Sequence, residues 1–304
     1  MGLNSIMITP ITLKKGDTIG IVSTARKVTK DALQPAIKFL ENWGLTAELG
    51  KTIDAENHQF AGSDNLRAED FQAMLDNPKI KAIWCARGGY GTVRIIDKID
   101  FSEFKNNPKW IIGYSDMTVL HAHINNLGVE TLHAQIFLGI ESKSKEAAQS
   151  IKKVLFAESY NIQFKPTSPV ENSSFSGELI GGNLSVLYSL LGSPSAIETD
   201  GKILFIEDLD EYLYHIDRMM MNLKRSGILK NLKALIVGGM TDMNDNAIPF
   251  GKTAEEIIFD TVKDYDYPVI YNFPAGHIND NRALIMGRKV TLEIQNSQVT
   301  LSFN

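Results

Sequence analysis

Short apolar runs alternate with stretches whose apolar residues recur every three or four positions, and this alternation fills the first half of the 304-residue chain. Residues 18–23 read as a short strand. Residues 30–42 read as a helix, with Leu33, Ile37, Phe39 and Leu40 at helical spacing. A strand at 45–49 follows, then a helix at 65–75 with Leu66, Phe71, Met74 and Leu75 on one side and Glu69-Asp70 on the other. The series continues with a strand at 81–86, a helix at 92–99, a strand at 110–113 and a helix at 117–125. Such alternation with short connections predicts a parallel sheet covered on both faces, with ligands beyond the carboxyl ends of its strands.

The pattern then changes. Residues 142–171 are dominated by Lys, Ser, Glu and Asn and include Pro166 and Pro169, which reads as a linker around a short helix. Beyond it, 203–206 is a buried strand, and 212–224 a helix with Ile216, Met219, Met220 and Leu223 on its inner face. Strands follow at 235–237 and 269–271. Val290, Leu292 and Ile294, then Val299, Leu301 and Phe303, alternate as in a sheet. The expected organisation is an N-terminal α/β domain over 1–140, a linker over 141–170, and a smaller C-terminal α/β domain, rich in mixed or antiparallel strands, over 171–304. No internal repeat or low-complexity tract interrupts it.

Composition narrows the function classes. With 43% hydrophobic and 22% charged residues the chain suits a soluble globular protein. A net charge of −5 and no basic stripe argue against nucleic acid as a partner. Cys85, the single cysteine, sits in an apolar run and reads as a small core residue. No signal peptide is visible at the N-terminus, Ile6 stands where a myristoylation signal after Gly2 needs Ser or Thr, and no apolar run approaches the ~18 residues of a membrane span. The expectation is a cytoplasmic protein with no membrane partner.

The chemistry gathers at a few positions. Trp110-Ile111-Ile112 climbs into Gly113-Tyr114-Ser115-Asp116, with a helix immediately after. A serine at a tight strand-to-helix turn is either a nucleophile on an elbow, with backbone N–H groups beneath it, or a helix N-cap. A nucleophilic serine needs a base and a group that orients the base. Of six histidines, His121 and His123 lie on the helix after Ser115 and read as surface or packing residues, and His215 lies inside an amphipathic helix. His277, in Phe273-Pro274-Ala275-Gly276-His277 after a strand, is where a base would be displayed. Glu207 stands at the carboxyl end of the strand Ile203-Leu204-Phe205-Ile206, whereas Asp208, Asp210 and Glu211 read as first-turn acids of the next helix. Arg87-Gly88-Gly89-Tyr90-Gly91 can bring backbone N–H groups close to a ligand; it matches neither phosphate-loop pattern. The oxyanion reading takes a glycine N–H from Gly88 or Gly89 together with that of Asp116. No metal-ligand pattern appears: Asp242-Met243-Asn244-Asp245-Asn246 begins like a calcium loop, but Ala247 and Thr253 replace its glycine and glutamate.

At these residues the chain resembles the LD-carboxypeptidases, serine peptidase family S66. The resemblance rests on Gly16-Asp17-Thr18-Ile19-Gly20-Ile21-Val22, Ala61-Gly62-Ser63-Asp64 with Arg67-Ala68, Ala86-Arg87-Gly88-Gly89-Tyr90-Gly91 and Ile112-Gly113-Tyr114-Ser115-Asp116. It continues through Gly181-Gly182-Asn183-Leu184-Ser185, Ile206-Glu207-Asp208, Ile216-Asp217-Arg218-Met219 and Ala275-Gly276-His277. It implies an N-terminal parallel-sheet domain of the flavodoxin or glutamine-amidotransferase type and a Ser115–His277–Glu207 triad carried by two domains. It also implies a metal-free, cofactor-free homodimer that hydrolyses the amide between an L-centre and a terminal D-amino acid, as in muropeptide tetrapeptides of recycled cell wall. Arg87 and Tyr90 are candidates for holding the substrate, Arg87 through its free carboxylate. One departure concerns the pocket wall: where many members carry a Thr-x-His-Gly-Pro-like stretch, this chain has Thr131-Leu132-His133-Ala134-Gln135. Two alternatives stay open. One is a microcin-immunity-type peptidase acting on peptidyl or aminoacyl nucleotides, which the absence of tryptophan from the C-terminal motifs disfavours. The other is a non-catalytic ligand-binding protein, which would have no need of all three triad residues.

Overall fold

Strand β1 (Thr18–Val22) turns four of its five residues into the core and pairs in parallel with a neighbour on each side. The computed structural model describes residues 7–166 and 171–304; the Gly2–Ile6 reading and Pro169 lie outside the described residues. The chain forms two compact units, one of Met1–Ser159 with Asn279–Gly287, the other of Tyr160–Ile278 with Arg288–Asn304.

In the first unit, β1 leads into α1 (Lys30–Glu41), capped by the Thr29 hydroxyl on the Ala32 N–H. Then come β2 (Thr46–Leu49), α2 (Asp64–Asp76), β3 (Ile80–Cys85), β4 (Trp110–Gly113), α3 (Thr118–Asn126), β5 (Thr131–His133) and α4 (Lys145–Leu155). The sheet order is β2-β1-β3-β4-β5, all parallel, closed by an antiparallel edge strand from far along the chain, Leu284–Met286. This is the doubly wound order of flavodoxin-type sheets, whose ligand crevices lie outside the strands' carboxyl ends. The stretch 92–99 departs from expectation: it forms two single 3₁₀ turns, Thr92–Arg94 and Ile96–Lys98, broken at Ile95 (φ −119°). Adjacent β-branched Ile95 and Ile96 disfavour a continuous helix.

Two charged residues of α2 are buried, one of them, Asp70, on the side opposite the apolar residues. Asp70 accepts from the Lys51 and Thr52 amides and the Thr52 hydroxyl, fixing the turn after β2. Arg67 is completely buried. At the other end of α2, the Lys109 ammonium donates to the Met74 and Asn77 carbonyls, so a cation satisfies orphan C-terminal carbonyls.

The second unit holds β6 (Asn161–Phe164), β7 (Ser173–Asn183), α5 (Leu184–Leu190), β8 (Ile203–Leu209), α6 (Leu213–Arg225), β9 (Ala234–Thr241), α7 (Ala254–Val262) and β10 (Val269–Ile270). After Leu284–Met286, which is β11 in chain order, come β12 (Lys289–Gln295) and β13 (Gln298–Phe303). The order β10-β9-β8-β7-β12-β13-β6 is parallel on its β10 side and antiparallel on the other. β7 serves both halves: Ser173 to Glu178 pair with β12, and Leu179 to Asn183 with β8. Residues 141–170, where the sequence places a linker, contain α4 of the first unit and β6 of the second, and the chain passes between units at Ser159.

Candidate active site

The first unit builds the elbow. β4 ends at Gly113, Tyr114 is extended, and Ser115 takes a left-handed backbone (φ +64°) before a 3₁₀ turn over Ser115–Met117 leads into α3. For a residue with a Cβ that conformation costs roughly 1–2 kcal/mol. A plain N-cap serine is extended, and the N-cap positions of the 3₁₀ turn and of α3 are Tyr114 and Met117, not Ser115. The backbone strain therefore favours the elbow reading over the cap.

The glycine-rich loop lies beside this serine. A Cβ on Gly88 would stand 3.3 Å from Ser115 Cβ and 3.4 Å from its Oγ, so a glycine lets the main chain approach the hydroxyl. Gly89 and Tyr90 are exposed. Arg87 donates through Nη1 to the Lys27 carbonyl at 3.0 Å, which braces the loop's entrance.

Beneath the elbow is His121, a packing residue at the heart of the unit. Nε2 meets the Gly113 carbonyl at 2.9 Å and Nδ1 the Thr131 hydroxyl at 2.8 Å. The carbonyl can only accept, which places the proton on Nε2 and lets Nδ1 accept from Thr131. Burial pushes the imidazole pKa down to about 4, so it is neutral and locks the end of β4 to β5.

The second unit brings Glu207 and His277 together. Glu207 Oε2 lies 2.6 Å from His277 Nδ1 and also accepts the His277 backbone N–H at 3.1 Å. Glu207 is fully buried, while the His277 side chain is 12% exposed. With Nδ1 held by the carboxylate, the ring's proton-transfer position is Nε2. Gly276 (φ +101°) makes this approach possible, because a Cβ there would lie 2.7 Å from Glu207 Cβ.

Sequence reasoning ends the strand before Glu207, but β8 runs to Leu209, with a register irregularity against β9 between Ile206 and Asp208. Asp208 is therefore not a first-turn helix acid. Its buried carboxylate accepts from Asn183 Nδ2 and the Ser185 amide. Burial, and then the neighbouring Glu207 charge, push its pKa up to about 6. His215, on α6, pairs with Glu211 at 2.6 Å.

Comparison with known proteins agrees with this architecture. The LD-carboxypeptidase N-terminal domain matches residues 19–134, and the LD-carboxypeptidase C-terminal domain matches residues 176–292. The probable murein peptide carboxypeptidase of Bacillus subtilis is 36% identical over 302 residues, covering 96% of this chain and 93% of that protein. The crystal structure of muramoyltetrapeptide carboxypeptidase from Oxalobacter formigenes superposes with a TM-score of 0.87 at 25% identity, covering 94% of this chain and 98% of that one. The microcin C7 self-immunity protein MccF, solved in complex with glutamyl sulfamoyl guanosine, has the same fold: TM-score 0.85 at 23% identity, over 98% of this chain and 99% of that one. The chain belongs to the LD-carboxypeptidase family and is an enzyme of the carboxypeptidase class.

Proposed function

We propose that the protein is a serine-type LD-carboxypeptidase that removes the terminal D-Ala of muropeptide tetrapeptides by cleaving its amide to an L-centre such as that of meso-diaminopimelate. Ser115 attacks the carbonyl carbon as His277 Nε2 takes the hydroxyl proton. The tetrahedral intermediate expels D-Ala, whose nitrogen receives that proton, and leaves an acyl-enzyme. Water, deprotonated by His277, then releases the tripeptide. Glu207 holds the ring's tautomer and stabilises the imidazolium. The N–H groups of Asp116 and of Gly88 or Gly89 receive the oxyanion. Arg87 and Tyr90 flank the substrate. The setting is cytoplasmic peptidoglycan recycling, by a homodimer that uses neither metal nor cofactor. The observation that carries the reading is the 2.6 Å contact of a fully buried carboxylate with His277 Nδ1, in a chain whose relatives are named for murein peptides.

The test is mass spectrometry of wild type and Ser115→Ala incubated with a muropeptide tetrapeptide. Loss of one D-Ala by wild type alone supports the reaction, the bond and the nucleophile together. Cleavage by both proteins removes Ser115 from its role. An untouched tetrapeptide with folded protein turns attention to the second reading, cleavage of aminoacyl or peptidyl nucleotides, which the likeness to MccF favours.

A further inference from the structure

The residue after the nucleophile carries a carboxylate that a solvated or capping acid would not bury. Asp116 is 3% exposed, and its Oδ2 accepts the Thr92 N–H at 2.8 Å. Thr92 is also fully buried, and its hydroxyl pairs with that of Thr24 at 2.8 Å. From the other side, buried Arg67 donates through Nη1 to the Gly91 carbonyl at 2.9 Å and to the Thr24 carbonyl. Its second nitrogen pairs with Asp64, which Arg94 also holds at 2.8 Å. The end of the glycine-rich loop is thus gripped at the Gly91 carbonyl by the Arg67 guanidinium and at the next amide by the Asp116 carboxyl oxygen. The beginning of the same loop, Gly88, packs on Ser115.

From this arrangement we infer that Asp116 is a positioning residue for the reaction proposed above. Its carboxylate ties residues 88–92 to the elbow, so that the loop amides and the Asp116 amide face one point beside Ser115 Oγ. The inference rests on the serine-hydrolase reading of Ser115. It adds a second role for Asp116, because its main chain supplies one oxyanion donor and its side chain sets the place of the other. A carboxylate–amide bond used only for stability would have no reason to lie between the residue next to the nucleophile and the amide that ends the loop. Preorganised donors act through their placement, so loosening one wall lowers transition-state binding more than ground-state binding.

The experiment compares wild type with Asp116→Asn, Arg67→Lys and Asp70→Asn. Asp70 is the control: it is another buried carboxylate of the same unit holding backbone amides, in the turn after β2. Three readouts are taken: kcat and KM on the tetrapeptide, the labelling rate of Ser115 by a fluorophosphonate, and thermal melting. Asp116→Asn and Arg67→Lys are expected to lower kcat and labelling together by about 10–100-fold, with KM within about threefold. Asp70→Asn is expected to lower the melting temperature while keeping wild-type kcat and labelling. Wild-type labelling and kcat in folded Asp116→Asn would overturn the inference. So would losses that track melting temperature across all three variants. Labelling needs no peptide, so a wild type that labels at Ser115 yet spares the tetrapeptide sinks the substrate assignment alone, and the labelling ratio still decides Asp116.

Discussion

Replacing Glu207 by glutamine separates charge from geometry. The glutamine amide can enter with its oxygen or its nitrogen at the Oε2 position. With the nitrogen there, Nδ1 would have to accept, the proton would move to Nε2, and the base would be in the wrong tautomer; in a serine protease triad that error costs ~10⁴ in kcat. The structure selects against it. Oε2 receives two donors, the His277 ring and the His277 backbone N–H at 3.1 Å, and a main-chain N–H cannot become an acceptor. The oxygen therefore takes this place and the tautomer is kept. What is lost is the charge that stabilises the imidazolium, and a charge-assisted bond exceeds a neutral one by about 1–2 kcal/mol. That difference predicts a fall in kcat of about 5–30-fold at 25 °C, with KM little changed. The amide nitrogen then lies where Oε1 lies now, buried and without a hydrogen-bond partner in the described structure. An unsatisfied donor there should lower unfolding free energy by about 1–3 kcal/mol. Steady-state kinetics and urea titration of Glu207→Gln and Glu207→Ala test this, with Glu207→Ala losing 10³-fold or more, on the order of a missing triad member. If Glu207→Gln falls as far as Glu207→Ala, the backbone N–H does not decide the amide's orientation. If it keeps wild-type kcat, the Glu207 charge does not stabilise the imidazolium.

Gly88→Ala places a methyl 3.3 Å from Ser115 Cβ; circular dichroism should stay native while Ser115 labelling by a fluorophosphonate slows about tenfold or more, and unchanged labelling would remove Gly88 from the elbow's wall. Gly276→Ala combines a left-handed backbone with a Cβ 2.7 Å from that of Glu207. It should cost about 2 kcal/mol or more of stability and most of the activity, read by urea titration and turnover. His121 gives a pH dependence. Its pKa is depressed to about 4 in the fold, so between pH 6.5 and 4 the unfolded chain binds a proton that the native state does not. This contribution is intact above pH 6.5 and is lost as pH falls, by about 3 kcal/mol in all. Asp208, with its pKa raised to about 6, acts in the opposite sense over part of that window. The measurement is therefore the stability of wild type minus that of His121→Gln as a function of pH, and a flat difference would contradict a buried neutral His121.

Much of this architecture could be read from the sequence, because β1, α1, β3, β4 and α6 declare themselves by period and length. Ser115, Glu207 and His277 stand out because each follows an apolar run, although Glu207 lies within β8 and not at a turn. What periodicity misses is polar groups buried by partners distant in sequence. Arg67 meets Thr24 43 residues away, and Asp116 meets Thr92 24 residues away. The spacing of a charge on a helix does not name a distant partner, which is why the acidic side of α2 and Asp208, read as a first-turn helix acid, give no sign of the bonds that Asp70 and Asp208 make. β7 hides for another reason: its serine-rich first half continues the polar composition before it, although half of it pairs with β12. The signal available there was the alternation of Phe175 with serines.

The return of residues Asn279–Gly287 to the first unit gives the chain three crossings rather than one. On a ribosome, the sheet that carries the serine lacks its edge strand until residue 286 has emerged. Ser159 is therefore not a place where this gene could be cut into two independently folding pieces, since the upstream fragment would lack Leu284–Met286. His277 is encoded just before the second crossing. Completion of the sheet that carries Ser115, at Met286, and arrival of His277 are thus nearly simultaneous events in synthesis.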